Sequence, residues 1–160
     1  MPAHALLQEV ARNGGYTDCY LTAVPRAVSH AEFVAAFYTT WLFRLERFIL
    51  AQLVGKPSTD DEAHELARGE RERFAAWSLD ARSPDQLVML DFQSRTCSWL
   101  MVEPAATGTT LYFGTGILRL TGGFRALLLF HRLYSRALLA TARSRLNRRA
   151  PLPAPSPRKS

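Results

Sequence analysis

Apolar and polar positions change period along this chain, and each change marks an element. Residues 1–15 keep no sustained period and end in Asn13-Gly14-Gly15, a turn signal, so they read as a flexible lead-in. Residues 16–24 (YTDCYLTAV) are rich in β-branched and aromatic side chains and stop at Pro25, which predicts a strand. Ser29-His30-Ala31-Glu32 has capping-box spacing: the Ser hydroxyl takes the amide of Glu32 while the Glu carboxylate reaches back to the amide of Ser29. A long helix starts there. Its apolar positions Phe33, Phe37, Trp41, Leu45 and Phe48 recur at helical spacing, with Glu46 and Arg47 off the stripe and Arg44 at its edge. Thr39-Thr40 is its weak point, and Gly55-Lys56-Pro57 ends it. Ser58-Thr59-Asp60-Asp61-Glu62 opens a polar second helix that runs to about Gly69, with acids where the helix dipole is positive.

From Phe74 the period falls to that of strands. Four runs, 74–81, 86–93, 96–103 and 109–120, are separated by Ser83-Pro84-Asp85, by Ser94-Arg95 and by 104–108. Connections this short make neighbouring runs antiparallel. Gly122-Gly123 breaks the last run, and 124–149 reads as the final helix. At 100° per residue Arg125, Arg132, Arg136 and Arg143 fall within about 20° of one line, while Leu127, Phe130, His131, Tyr134, Leu138 and Thr141 take the opposite side. Pro151, Pro153, Pro155 and Pro157 then alternate with small residues, so 150–160 is expected to be a disordered basic tail. The organisation is thus one domain over 16–149 between two loose ends.

Composition narrows the class. With 160 residues, 48% of them apolar, one ordinary core can form. No apolar run approaches the roughly 18 to 20 residues of a bilayer crossing, and the first residues lack the pattern of a signal peptide, so a cytoplasmic protein is expected. Cys19 and Cys97 are too few for a disulfide framework or a zinc ribbon and read as reduced, buried small hydrophobes. Charge is unevenly placed: residues 1–122 hold 11 Lys and Arg against 14 Asp and Glu, whereas 123–160 hold 9 basic residues and no acid. Arg143, Arg145, Arg148 and Arg149 are therefore candidate anion-binding residues, with a weakly held anionic membrane surface as the partner. Cations in a last helical turn also simply suit the dipole. Nucleic acid is not expected, because no recognition motif accompanies the charge.

The element order is strand, helix, helix, four antiparallel strands, long helix. It predicts an α+β fold in which the antiparallel sheet has a helix pair after its first strand and the C-terminal helix lies across one face. That order, over about residues 16–148, resembles the helix-grip fold of the START and birch-pollen-allergen superfamily, also called polyketide-cyclase-like. The resemblance implies a hydrophobic ligand cavity between sheet and terminal helix. The usual pattern has five or six strands after the helix pair, so four imply a smaller cavity. Locally, Phe37-Tyr38-Thr39-Thr40, Arg44-Leu45-Glu46-Arg47, Arg73-Phe74-Ala75-Ala76-Trp77, Asp91-Phe92-Gln93-Ser94-Arg95-Thr96 and Phe130-His131-Arg132-Leu133-Tyr134-Ser135-Arg136 are similar to segments of an uncharacterised bacterial family of short proteins, which brings no activity with it.

Familiar catalytic signatures are absent. There is no P-loop and no Gly-x-Ser-x-Gly elbow, and Gly114-Thr115-Gly116 lies inside a strand pattern rather than opening a helix. His4, His30, His64 and His131 have no Cys or His at metal-ligand spacing, so neither a metal nor a cofactor is expected. His131 is the most informative position. With Tyr134 it lies opposite the arginine ridge, on the side that faces the sheet in a helix-grip arrangement. A neutral imidazole there can both donate and accept, and so bind or activate a polar group on an apolar ligand. Asp91, set in the run Leu87-Val88-Met89-Leu90, is either a carboxylate facing His131 or the ion partner of Arg95. Trp77, Trp99 and Tyr112 are strand-borne aromatics that can line a pocket or fill the core. The leading expectation is a small hydrophobic-ligand-binding domain using Trp77, Trp99, Tyr112, His131 and Tyr134. The alternatives are a cofactor-free cyclase- or hydrolase-like enzyme with catalytic candidates His131, Tyr134 and Asp91, and a protein that docks on anionic surfaces.

Overall fold

A computed structural model describes residues 1–118 and 124–148, the final stretch with its side chains from residue 131 onward. In chain order the elements are α1 (Gln8–Arg12), β1 (Tyr16–Val24), α2 (His30–Tyr38), α3 (Trp41–Val54), α4 (Asp60–Arg68), β2 (Arg73–Phe74), β3 (Trp77–Ser83), β4 (Gln86–Asp91), β5 (Thr96–Ala105), β6 (Gly108–Ile117) and α5 (Phe124–Arg148). The strands form one antiparallel sheet in the order β1-β6-β5-β4-β3-β2. Strands β2 to β6 follow one another as hairpins, and β1 closes the far edge by pairing along β6 from Tyr16 opposite Ile117 to Val24 opposite Thr109. The fold is α+β, with five strands after the helices rather than four. The extra one is β2, whose two residues are too short to show an alternation; they pair with Trp77 and Ser78 across a turn in which Ala75 takes a positive φ of 51°.

The α2–α3 junction departs most from the hydrophobic pattern. Thr39 ends α2, and its hydroxyl donates to the Ala35 carbonyl at 2.7 Å. Thr40 then leaves the helical region (φ −60°, ψ 152°) and caps a new helix, its hydroxyl accepting from the Phe43 amide. Two helices replace the single one expected. The restart re-aims every side chain beyond it: Phe43 and Arg47 are buried, while Trp41, Leu45 and Phe48 of the anticipated core stripe are 67%, 50% and 63% exposed. Arg47 is held by its donors to the Tyr38 carbonyl (3.3 Å), the Ser58 carbonyl (2.7 Å) and Asp60 (2.9 Å), with its guanidinium over the Phe74 ring. It binds α3 to the loop before α4.

Both faces of the sheet are covered. On the inner face Leu87, Met89, Leu100, Leu111 and Phe113 meet Phe33 and Phe37 of α2, Leu66 of α4 and Leu138 and Leu146 of α5. On the outer face Val88, Cys97, Trp99 and Met101 meet Ala5 and Leu7. Residues 1–15, expected to be loose, thus carry α1 and the wholly buried Leu7. Removing Leu7 from water contributes about 2 kcal/mol by itself. The outer face has room for it because β6 carries Gly114 and Gly116 there. A Cβ at 114 would stand 2.6 Å from the Leu7 side chain and 2.8 Å from the Asp18 carbonyl. The glycines of the Gly-Thr-Gly segment therefore serve close packing. The expected tail over 150–160 lies outside the described residues.

Candidate functional site

Residues 131, 134, 135 and 138 recur at the spacing of one helix face, and on α5 that face looks at the inner side of the sheet. Between them a cavity of about 240 Å³ remains open. Phe37 of α2, Phe43 and Glu46 of α3, Trp77 of β3, Ser98 of β5 and Phe113, Thr115 and Ile117 of β6 line it, with His131, Tyr134, Ser135 and Leu138 forming the α5 wall. The volume lies below the range of about 300 to 1,000 Å³ usual for drug-sized ligands, so it suits a small molecule.

Two polar pairs enter this apolar space. Tyr134 donates its phenolic proton to Oε2 of Glu46. Burial raises the Glu46 carboxyl above the ordinary carboxylate range, against the pull of the Tyr134 hydrogen bond. Burial, then the charge and hydrogen bond of Glu46, push the Tyr134 phenol well above its usual value, so the shared proton stays on the tyrosine. The second pair begins at Asp18 on β1, whose Oδ1 accepts from the Thr115 hydroxyl at 2.6 Å and from the Thr115 amide at 3.2 Å. Thr115 Oγ1 is in turn 2.8 Å from Nε2 of His131. A hydroxyl has one proton, and Asp18 takes it. Nε2 of His131 therefore carries a ring proton and donates it to Thr115. Asp18 thereby orients the imidazole through Thr115.

The sequence-derived candidates divide cleanly. Trp77, His131 and Tyr134 line the cavity. Trp99 and Tyr112 do not, because strand alternation sends them to the outer face. There the Trp99 indole donates to Oε1 of Gln86 at 2.9 Å, and the Tyr112 hydroxyl donates to Glu103 at 2.6 Å. Asp91 does not face His131. Its carboxylate accepts from the amides of Gln93 (3.2 Å) and Arg95 (2.8 Å) and from the Thr96 hydroxyl (3.1 Å), which closes the β4–β5 turn. The contact with Arg95 is made by its backbone amide. The carboxylate that does line the cavity is Glu46, off the expected stripe and bonded to Tyr134.

The arginines also part company. Arg132, Arg136 and Arg143 are exposed as the ridge predicts, with Arg136 over the Tyr20 ring, while the side chain of Arg125 lies outside the described residues. Arg136, Arg143 and Arg148 border an open groove against β1. Arg145 turns the other way and donates to the Thr39 carbonyl at 3.2 Å, so it serves the end of α2. Arg149 lies outside the described residues.

The arrangement can hold a ligand by its polar end and can move a proton at Glu46, Tyr134 or His131. Among the described residues no three His, Cys, Asp or Glu side chains cluster as metal ligands. No helix among them is long and apolar enough to cross a membrane. No protein-family model matches the sequence, and no curated protein does. Among solved structures, the chain is similar to an uncharacterised protein from Rhizobium leguminosarum, with a TM-score of 0.37 and 12% identity over 82% of this chain and 95% of that one. It is also similar to the apo form of CntA, a quaternary ammonium Rieske monooxygenase, with a TM-score of 0.37 and 11% identity over 88% of this chain. The match spans 42% of the monooxygenase chain. Superpositions this loose transfer neither a fold family nor an activity.

Proposed function

We propose that this protein is a small-ligand-binding domain of the helix-grip kind, with its site between the inner face of the sheet and α5. The observation that carries the reading is the 240 Å³ cavity lined mainly by apolar side chains, into which Glu46, Thr115, His131 and Tyr134 converge. An apolar body gains by leaving water, and the four polar groups orient it. The test is titration with neopentylbenzene, a small neutral probe, followed by NMR of the Trp77 indole and the Thr115 methyl. Saturable shifts are expected, and Ser135→Phe, which fills the cavity from a wholly buried position on α5, should abolish them in a variant that keeps its fold. Shifts that never saturate, or that survive in Ser135→Phe, refute the reading.

A second reading, docking on an anionic bilayer, is favoured by α3. Its outward face presents Trp41, Leu45, Phe48, Ile49 and Leu53 to solvent, and Trp41 forms one groove with Arg44, Arg145 and Arg148. A basic helix end alone adsorbs weakly. An apolar face rich in Trp, Phe and Leu beside arginines is the composition of an interfacial helix, inserting its rings while the guanidinium groups meet lipid phosphates. Vesicles of phosphatidylcholine with and without phosphatidylserine test it through the Trp41 emission. A blue shift that needs phosphatidylserine, weakens at physiological salt and is lost in Phe48→Ser and in the pair Arg143→Gln, Arg148→Gln supports docking. Equal binding by wild type and variants refutes it.

A further inference from the structure

The charge and the rings of the cavity narrow the ligand class, and this step rests on the cavity reading above. Among the described residues Glu46 is the only acid lining the cavity, and no Lys or Arg lines it. The carboxylate stands one helical turn from Phe43, whose ring lies 5.4 Å from that of Trp77 and 6.0 Å from that of Phe37. Phe113, 4.7 Å from Phe37, continues the wall. An ionised carboxylate offers about four acceptor positions, and among the described residues Tyr134 is its one hydrogen-bond donor.

Three ligand types can be compared in that setting. An anion meets the Glu46 charge in a poorly hydrated space and is repelled. A neutral apolar body fills the cavity but excludes water from a carboxylate that keeps a single partner, a costly burial. A cation does the opposite on both counts: it pairs with the carboxylate, and the negative faces of the surrounding rings attract it. We propose that the cavity receives an organic cation, a protonated amine or quaternary ammonium group on a small apolar body, with its positive head between Glu46 and the rings of Phe43 and Trp77. Burial raises the Glu46 carboxyl above the ordinary carboxylate range, and a cation beside it would favour the ionised form again. Thr115 and Ser98 are uncharged lining groups placed to contact the apolar body or any hydroxyl it carries.

The experiment compares three probes of one shape class on the wild-type chain: benzyltrimethylammonium, its neutral isostere neopentylbenzene, and phenylacetate. Binding is followed by NMR of the Trp77 indole and by calorimetry. The cation is expected to bind at least about tenfold more tightly than the neutral isostere, with phenylacetate weakest. Glu46→Gln, which keeps an acceptor for Tyr134, should erase the preference, with benzyltrimethylammonium losing at least about tenfold in affinity, in a variant whose melting curve matches wild type. Equal affinity for the cation and its isostere, or a preference that survives in Glu46→Gln, overturns the cation assignment while the cavity reading stands. Binding of none of the three overturns both.

Discussion

Acid should unfold this protein through a group remote from the cavity. His30 opens α2 one residue after the Ser29 cap, is 7% exposed, and has a buried Nε2 with no hydrogen-bond partner among the described residues. Burial first, and the nearby Arg82 charge after it, lower its pKa from 6.5 to about 4, against a hydrogen bond to the Leu100 backbone and the charge of Asp85. The positive end of α2 also disfavours a proton there. The sign follows from the two states. The unfolded chain binds a proton at His30 below about pH 6.5, whereas the folded chain resists until about pH 4. Stability is therefore whole above pH 6.5 and is lost as pH falls through this window. A displacement of this size limits the loss to about 3 kcal/mol, of which about 1 kcal/mol is gone by pH 5.5 and about 2 kcal/mol by pH 4.5. Urea unfolding at pH 7, 5.5 and 4.5 measures it for wild type and His30→Gln. Asp60 and Glu32, whose pKa values are lowered, act at still lower pH, and Glu46 acts with the opposite sign. All three are common to both proteins and cancel in the difference. The variant should lose about 2 kcal/mol less than wild type between pH 7 and 4.5. Equal losses in the two proteins would refute a buried neutral His30.

Three further outcomes are expected. Leu7→Ala should cost about 2 to 4 kcal/mol by urea unfolding, because Leu7 is wholly buried against Trp99; a cost below about 0.5 kcal/mol would mean that residues 1–15 are loose after all. Gly114→Ala should cost about 1 to 3 kcal/mol by the same measurement, since its Cβ would press on the Asp18 carbonyl and the Leu7 and Trp99 side chains, and an unchanged midpoint would contradict that crowding. Asp91→Ala should lower stability by about 1 to 2 kcal/mol through the lost turn hydrogen bonds and leave neopentylbenzene affinity unchanged; a large affinity loss in a folded variant would return Asp91 to the site.

Much of the fold was legible because its signals are local. The capping box at Ser29 forms as its spacing predicts, and the acidic helix start at 58–62 contains a second, between Thr59 and Glu62. The turns at 83–85, 94–95 and 104–108 fall where their breakers predict, whereas that between β2 and β3 runs through Ala75-Ala76; α5 is continuous with His131 and Tyr134 on its inward side. What escaped were features made by contacts distant in sequence. Leu7 looks like any apolar residue in a short polar stretch until the outer face of the sheet is assembled against it. The β4 run Leu87-Val88-Met89-Leu90, apolar at successive positions rather than alternating, is explained by the same contact: both of its faces are covered, one by the helices and one by residues 5–7.

The site was harder to read because it depends on the phase of α3, and two adjacent threonines set that phase. Had α2 run on unbroken, Trp41, Leu45 and Phe48 would have continued the line of Phe33 and Phe37 into the core, and Glu46 would have faced water. Thr40 instead spends its side chain on capping, so the next helix starts at a new angle. That rotation places Phe43 and Glu46 beside the cavity and Arg47 against Asp60. By the same movement it turns Trp41, Leu45 and Phe48 outward. The buried carboxylate and the exposed apolar face are therefore two consequences of one local event. A variant that restores helical continuity, Thr39→Ala with Thr40→Ala, should disturb both together: weaker benzyltrimethylammonium binding and weaker vesicle binding in the same protein. Loss of one with the other intact would show that the inward and outward faces of α3 are set independently.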